Sequence, residues 1–169
     1  MGSYAAWYVK RARREAAVTA EPAKAPPITP RRQAIELTEG ECWRLLASVS
    51  IGRVVFTQRA MPAIRPVNHV IDGRTIIIRT HLGAAIATRA SDGGEPRGSV
   101  VCYEADDLDP ARRAGWSVIV TGMARLVTDP AAASRYAAAV EPWIAGDLNQ
   151  VVAIEPQFVS GIRLMGWCG

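Results

Sequence analysis

The sequence has few cysteines and no long hydrophobic run. No stretch approaches the roughly 20 apolar residues that a membrane-spanning helix needs. The three cysteines, Cys42, Cys102 and Cys168, are odd in number and widely spaced. This spacing indicates neither a disulfide framework nor a metal site, and it favours a reducing cytoplasm as the location.

Two N-terminal signals are also missing. The basic residues follow the short apolar stretch YAAWYV, whereas a secretory signal places them before its apolar region. Gly2 is present, but Ala6 occupies the position where a myristoylation signal has serine or threonine. The sequence therefore predicts neither secretion nor this lipid anchor.

Positive charge is concentrated in one segment. The formal net charge is +4 over 169 residues, yet lysine and arginine cluster before residue 33 and the remainder is close to neutral. A nucleic-acid-binding domain needs a basic face of its own. We therefore expect no nucleic-acid partner. The hydrophobic fraction of 49% is that of an ordinary globular domain.

The chain divides near residue 35. Residues 1–34 form a predicted tail, in which Ser3–Ala20 is rich in helix formers and EPAKAPPITPRR follows as a proline-rich tether. A disordered tail and a basic amphipathic helix that contacts a partner or a membrane surface both remain open. Residues 35–169 form the predicted globular domain.

The domain alternates strand patterns with short helices. Thr38 and Glu41 form a capping-box signature before one helix, Asp129 and Pro130 begin another, and a third is predicted over Gly83–Arg89. The β-branched segments predict six strands: Ile51–Gln58, Met61–Asp72, Arg74–Thr80, Arg97–Asp106, Trp116–Asp129 and Val151–Gly166. The prolines in the second strand favour an edge or a bulge there.

Hairpin signals suggest that most of these strands are antiparallel. The Asp72-Gly73 pair is a tight-turn signal between the second and third strands. Short connections and intervening helices predict a mainly β (α+β) fold, a six-stranded antiparallel barrel with short peripheral helices. Composition alone does not distinguish a barrel from a sandwich.

Six motifs in order resemble those of the pyridoxamine 5′-phosphate oxidase-like flavin proteins, especially the small actinobacterial members. The motifs are L-T-x-x-E-x-x-x-L-L, I-G-R-V-V-F, P-x-x-x-P-V-N, D-G-R-T-I-I-I-R-T, V-V-x-x-E-A-D-D-L-D-P and G-W-S-V-I-V-T-G. They cover about Leu37 to Leu164. The resemblance implies a split β-barrel and a homodimer with FMN or a related flavin at the subunit interface.

The resemblance also assigns a phosphate site at the end of the third strand. Arg79 matches the family arginine and Thr80 the hydroxyl. A guanidinium suits phosphate because it offers a planar two-point fork. The family pattern R-T-x-x-G-x-K then requires a lysine where this chain has Ala85. Arg89, one helical turn further on, is our predicted substitute.

Four other positions complete the sequence-based site. Asn68 aligns with the strand that flanks the flavin ring, and His81 follows the phosphate motif directly. Trp116 matches a family tryptophan, although a tryptophan of the core is the competing interpretation. His69 is more typical of a solvent-facing or internally bonded histidine than of a catalyst. We do not interpret the two histidines as metal ligands, because no cysteine or carboxylate has usable spacing.

No set of nucleophile, base and orienting residue is visible, which fits flavin chemistry. The first hypothesis is an FMN-dependent oxidoreductase acting on a small, planar substrate in the cytoplasm. The alternative is a non-catalytic protein of the same fold that binds a flavin, a deazaflavin coenzyme or haem. Family members with this fold use FMN, FAD, deazaflavin or haem, so the fold alone does not choose.

Overall fold

The computed structural model describes residues 34–81, 85–86, 98–141, 143 and 150–165. The chain divides into two units after Arg31, and all described residues lie in the second unit, Arg32–Gly169. The predicted tail therefore lies outside the described residues except for its last position. The same is true of the helix predicted over Gly83–Arg89, of which only Ala85 and Ile86 are described, both helical.

The described chain forms one antiparallel sheet that closes on itself. Its strands are β1 (Ala34–Glu36), β2 (Ile51–Gln58), β3 (Met61–Asp72), β4 (Thr75–Thr80), β5 (Ser99–Asp109), β6 (Ala114–Leu126) and β7 (Gln150–Leu164). The order is β1-β7-β4-β3-β2-β5-β6, and β6 also pairs with β7. Six strands thus form a ring, and the predicted mainly β split barrel is confirmed.

The short β1 strand was not predicted. It pairs with the last residues of β7, where Ala34 lies opposite Leu164 and Glu36 opposite Ile162. On one edge, the first residues of β7 pair with β4 and the last residues of β7 pair with β1. Between these two partners, residues 155–161 of β7 have no strand partner on this edge among the described residues. On the other edge, β7 pairs with β6 along most of its length.

Turn chemistry fixes the register around the site. β3 ends at Asp72 and β4 begins at Thr75, as the hairpin signal predicted, and Gly73 adopts φ 59° in the turn. This left-handed conformation is one that glycine adopts without strain. The loop between β5 and β6 is shorter than predicted, because β5 continues to Asp109 and β6 already begins at Ala114.

Two described helices of full length cover the barrel. Helix α1 (Glu39–Leu46) begins with the predicted capping box, and Cys42, Trp43 and Leu46 of this helix are buried in the core. It sits close to β7, since a Cβ on Gly161 would lie 2.8 Å from the Cys42 sulfur. The described cysteines, Cys42 and Cys102, are both free thiols.

Helix α2 (Pro130–Ala139) begins as predicted. The Asp129 side chain accepts a hydrogen bond from the Ala132 amide, and Pro130 occupies the first helical position. Tyr136 and Ala137 pack with Ile77 and other apolar side chains on the outer face of the sheet. Neither α1 nor α2, nor the described part of any other helix, is long and apolar enough to span a membrane.

Candidate functional site

The end of β4 places Arg79 on the outer face of the barrel. Side chains alternate along a strand, and Ile76 and Ile78 point into the main core inside the barrel. Ile77 points outward and packs beneath α2. Arg79 shares the outer face with Ile77. Its Nη1 donates a hydrogen bond of 3.0 Å to the carbonyl oxygen of Ala137.

This bond places a cation at the C-terminal end of α2. Ala137 lies in the last turn of the helix, where carbonyl groups lack partners within the helix. The last turn of α2 has no basic residue of its own. The Arg79 guanidinium therefore interacts favourably with the negative end of the helix dipole. Arg79 thus has a structural role, in addition to any role in ligand binding.

Asn68 lies beside Arg79 on the same outer face. The β3–β4 pairing ends with His69 opposite Ile78, and Asn68 and Arg79 are the next residue of each strand. The Asn68 Nδ2 donates to the carbonyl oxygen of Ser50 at 3.2 Å. Its Oδ1 accepts a hydrogen bond from the Trp143 amide at 3.0 Å. The structure thus brings two of the predicted site residues together and uses Asn68 to hold two chain segments.

Thr80 and His81 lie in different environments from that of Arg79. Thr80 is buried and pairs with Gln150 on β7. Because adjacent strand residues point to opposite faces, its hydroxyl and the Arg79 guanidinium leave the sheet on different sides. His81 follows the strand and is exposed to solvent.

The family lysine has no counterpart in the domain. Ala85 is partly buried and packs against the main core, so this position faces inward. The proposed substitute, Arg89, lies outside the described residues. No lysine follows Lys24 in the chain, and arginine is therefore the only permanently charged cation that the domain offers to a phosphate.

Trp116 lies apart from Arg79 within the chain. It is buried in the main core, as the competing interpretation expected. Trp116 pairs with Arg163 near the end of β7, whereas Arg79 pairs with Val151 near the start of that strand. The two residues therefore lie at opposite ends of β7, and the fold of one subunit does not bring them together.

His69 is an internally bonded core histidine, which was one of the interpretations that the sequence left open. It is 3% exposed, and its ring contacts the carbonyl oxygen of Leu46 through Nε2 at 2.9 Å. The Nδ1 lies 2.6 Å from the hydroxyl of Tyr103. A carbonyl oxygen only accepts, so Nε2 carries the hydrogen and Nδ1 accepts from the tyrosine. Burial lowers the pKa of His69, which favours this neutral ring.

Sequence analysis did not find the tyrosine partner of this histidine. Tyr103 is fully buried on β5, and burial raises the pKa of its hydroxyl, which therefore stays protonated and donates. Gly52 makes room for it, because a Cβ at that position would lie 2.2 Å from the Tyr103 oxygen. The only signal in the sequence was a glycine within a β-branched strand, which often marks a close approach.

Comparison with known proteins shows where the chain belongs. The family model described as pyridoxamine 5′-phosphate oxidase matches residues 38–163. The Mycobacterium tuberculosis protein Rv0080, itself uncharacterized, is 53% identical over 135 residues, which are 79% of this chain and 88% of that protein.

Two solved structures with at least 30% sequence identity share the fold. One is the FAD-binding protein from Mycobacterium smegmatis, which is 35% identical, with a TM-score of 0.59 and coverage of 76% of this chain and 98% of that chain. The other, from Corynebacterium glutamicum, is provisionally named pyridoxamine 5′-phosphate oxidase. It is 30% identical, with a TM-score of 0.63 and coverage of 79% of this chain and 99% of that chain. Together with the family match, these similarities show that the chain belongs to the pyridoxamine 5′-phosphate oxidase family.

Proposed function

We propose that this chain binds a flavin nucleotide and acts as an FMN-dependent oxidoreductase on a small, planar substrate in the cytoplasm. The observation that carries the proposal is the position of Asn68 and Arg79, which are the next residues of β3 and β4 after the last pair of that ladder and share the outer face. A guanidinium beside an amide is a donor set suited to a phosphate and to the polar edge of a flavin ring. When bound, the flavin supplies the electron transfer, while the protein binds and orients it.

FMN and FAD both suit this proposal. The resemblance of the motifs favours FMN, whereas the Mycobacterium smegmatis neighbour is an FAD-binding protein. The proposed contact is the same in both cases, because Arg79 would hold a phosphate that both cofactors contain. The sequence also predicts phosphate contacts for Thr80, His81 and Arg89. For Thr80, its burial on the opposite face of β4 from Arg79 weighs against that role. Trp116 is assigned a flavin contact only by the resemblance, and its burial in the core weighs against that role.

The alternative is a flavin carrier without turnover, and position 85 favours it. Ala85 replaces the family lysine and packs against the core, so one phosphate cation is missing. A deazaflavin coenzyme also falls within this alternative. Haem has less support, because ligation by His69 would break its bonds to Leu46 and Tyr103.

We also propose a homodimer formed through the outer face of the sheet. One row of cross-strand partners runs over five strands on this face and consists of Ile64, Val55, Cys102, Thr121 and Phe158. Its two ends are the most exposed, since Ile64 is 52% exposed and Phe158 72%. A two-fold axis through such a row would bury the same patch on both subunits.

The flavin proposal is tested by titrating FMN, FAD and riboflavin into wild-type protein and into Arg79→Ala. Hydrogen bonds to a charged group are worth about 1.5–3 kcal/mol. We therefore expect Arg79→Ala to bind FMN about ten- to a hundred-fold more weakly. Riboflavin lacks the phosphate, so its affinity should hardly change.

The matched control is Arg74→Ala, because this exposed arginine lies on the same hairpin and is bonded only to Glu39 in the described structure. It should leave the affinity of all three flavins unchanged. Unfolding curves of Arg79→Ala report the separate loss of its bond to Ala137. An unchanged FMN affinity in a folded Arg79→Ala protein would contradict the phosphate role.

The dimer proposal is tested by light scattering of Phe158→Asp. A carboxylate at the end of the row would be buried in the proposed interface without a partner, which is costly and should give a monomer. Met61→Asp is the control, because Met61 is 65% exposed but points to the opposite face of β3 from Ile64. A wild-type protein that is monomeric at micromolar concentration would contradict the proposal.

A further inference from the structure

A cavity of about 610 Å³ lies between the end of α1 and the last part of β3. Its lining includes Ser48, Val49, Ser50, His69, Ile71 and Trp143. We call it the turn cavity, because residues 47–50 form the turn from α1 into β2. A volume of this size falls within the range of small-molecule sites, about 300–1,000 Å³.

One wall of the turn cavity is a stretch of β3 along which no strand of the described residues pairs on the β2 side. The His69 amide donates to the Ser50 carbonyl oxygen at 3.0 Å, so His69 turns its backbone amide toward β2. β2 begins only at Ile51, opposite Asn68, and does not extend along the rest of β3. Alternate residues of a strand direct their backbone groups to the same side. The N–H and C=O of Ile71 therefore point toward the cavity rather than toward β4.

The described lining of the turn cavity carries no charged side chain. It consists of apolar residues, the small hydroxyl residues Ser48 and Ser50, and His69. The histidine is neutral, and both of its nitrogens are bonded within the protein. A phosphate or carboxylate placed here would lose water without gaining a cation, which is costly. The lining therefore selects an uncharged ligand.

Trp143 gives the cavity a flat apolar surface at its rim. The residue is 66% exposed, although its backbone amide is held by Asn68. Asn68 also holds Ser50 on the other side of the cavity. The same side chain thus sets the positions of both walls. An exposed indole beside an anchored backbone offers a stacking surface for a planar ring.

We propose that the turn cavity binds an uncharged, planar molecule with an amide or lactam edge. The edge pairs with the N–H and C=O of Ile71 as a neighbouring strand would, and the ring lies against Trp143. This site goes beyond the proposed function, because it needs neither a flavin nor Arg79. It also selects against anionic ligands, including phosphorylated vitamin B6 compounds, which the phosphate site at Arg79 would favour.

Nicotinamide is the test ligand, and two close analogues are its controls. Nicotinate has the same ring with an anionic edge, and 3-acetylpyridine keeps the carbonyl but lacks the N–H donor. Amide chemical shifts of the full-length, flavin-free protein labelled with ¹⁵N report where each ligand binds. We expect nicotinamide to bind at about millimolar concentration, as its few atoms allow, with the largest shift changes at the Ile71 amide and the Trp143 indole.

Both analogues should bind more weakly, because one lacks the donor and the other carries a charge. Trp143→Ala should lower the nicotinamide affinity about two- to tenfold through loss of ring contact. Met61→Ala removes another large exposed apolar side chain, outside both the cavity and the proposed dimer row, and should have no effect.

Three results would overturn the proposal. One is no shift change at Ile71, and another is equal binding of nicotinate. The third is displacement of nicotinamide by riboflavin, which would make the cavity the pocket of the flavin ring itself. Because FMN binding through Arg79 is measured separately, failure here leaves the proposed function standing, and failure of the flavin titration leaves this site standing.

Discussion

Removing the Tyr103 hydroxyl should destabilise the barrel more than a loss of one hydrogen bond on the surface would. The hydroxyl donates to His69 Nδ1 at 2.6 Å in the interior of the protein. Tyr103→Phe keeps the ring and its apolar contacts but removes the donor. His69 cannot compensate by changing tautomer, because its Nε2 must still donate to Leu46. The substitution therefore leaves a buried acceptor without a partner.

The size of the effect follows from the burial of the pair. Tyr103 is fully buried and His69 is 3% exposed, so water does not replace the lost donor. A buried polar group left without a partner costs about 1–3 kcal/mol. We expect the free energy of unfolding of Tyr103→Phe to fall by about 2 kcal/mol.

Denaturant unfolding followed by circular dichroism measures this loss. Tyr136→Phe is the matched control, since the Tyr136 hydroxyl donates to Asp72 at an exposed position. It should cost less than about 1 kcal/mol, because water can replace the lost partner. Equal losses in the two variants would refute the claim that the buried pair is a specific stabilising contact.

Three further predictions concern the same part of the barrel. Gly52→Ala should cost about 3 kcal/mol or more in unfolding free energy, because the new Cβ would lie 2.2 Å from the Tyr103 oxygen; a loss below about 1 kcal/mol would contradict this close contact. Ala60→Gly should raise stability by about 0.5–1 kcal/mol, since Ala60 adopts φ 61° in the β2–β3 turn; an unchanged midpoint would argue against strain there. Burial lowers the pKa of His69 in the folded protein. As the pH falls, the unfolded chain therefore takes up a proton at this residue at a higher pH than the folded chain does. Stability should therefore decrease as the pH falls below about 6.5 toward the lower folded-state pKa, and His69→Leu should flatten that part of the profile.

The fold was largely predictable because its strands carry local signals. The turn at Asp72-Gly73 and the cap at Thr38 depend on residues close in sequence, and both are confirmed. β1 was missed because its three residues are all exposed and show no alternation. Its position depends on pairing with Ile162–Leu164, far away in the sequence.

The candidate site was less predictable because its contacts are long-range. Arg79 was chosen from a motif, but its bond to Ala137 joins residues 58 positions apart. The same applies to His69 and Tyr103, which are 34 positions apart on different strands. Sequence patterns indicate which face a side chain occupies, whereas its partner depends on the closure of the barrel. Trp116 illustrates this limit, since a tryptophan at a strand start suits both a ligand contact and a core.

The most direct test of the flavin proposal is the visible absorption spectrum of the full-length protein after incubation with FMN or FAD and removal of free flavin by gel filtration. We expect the wild-type protein to elute with flavin absorption bands, and Arg79→Ala to elute in the same volume with most of that absorption lost. A folded wild-type protein that elutes without any flavin absorption would contradict the account.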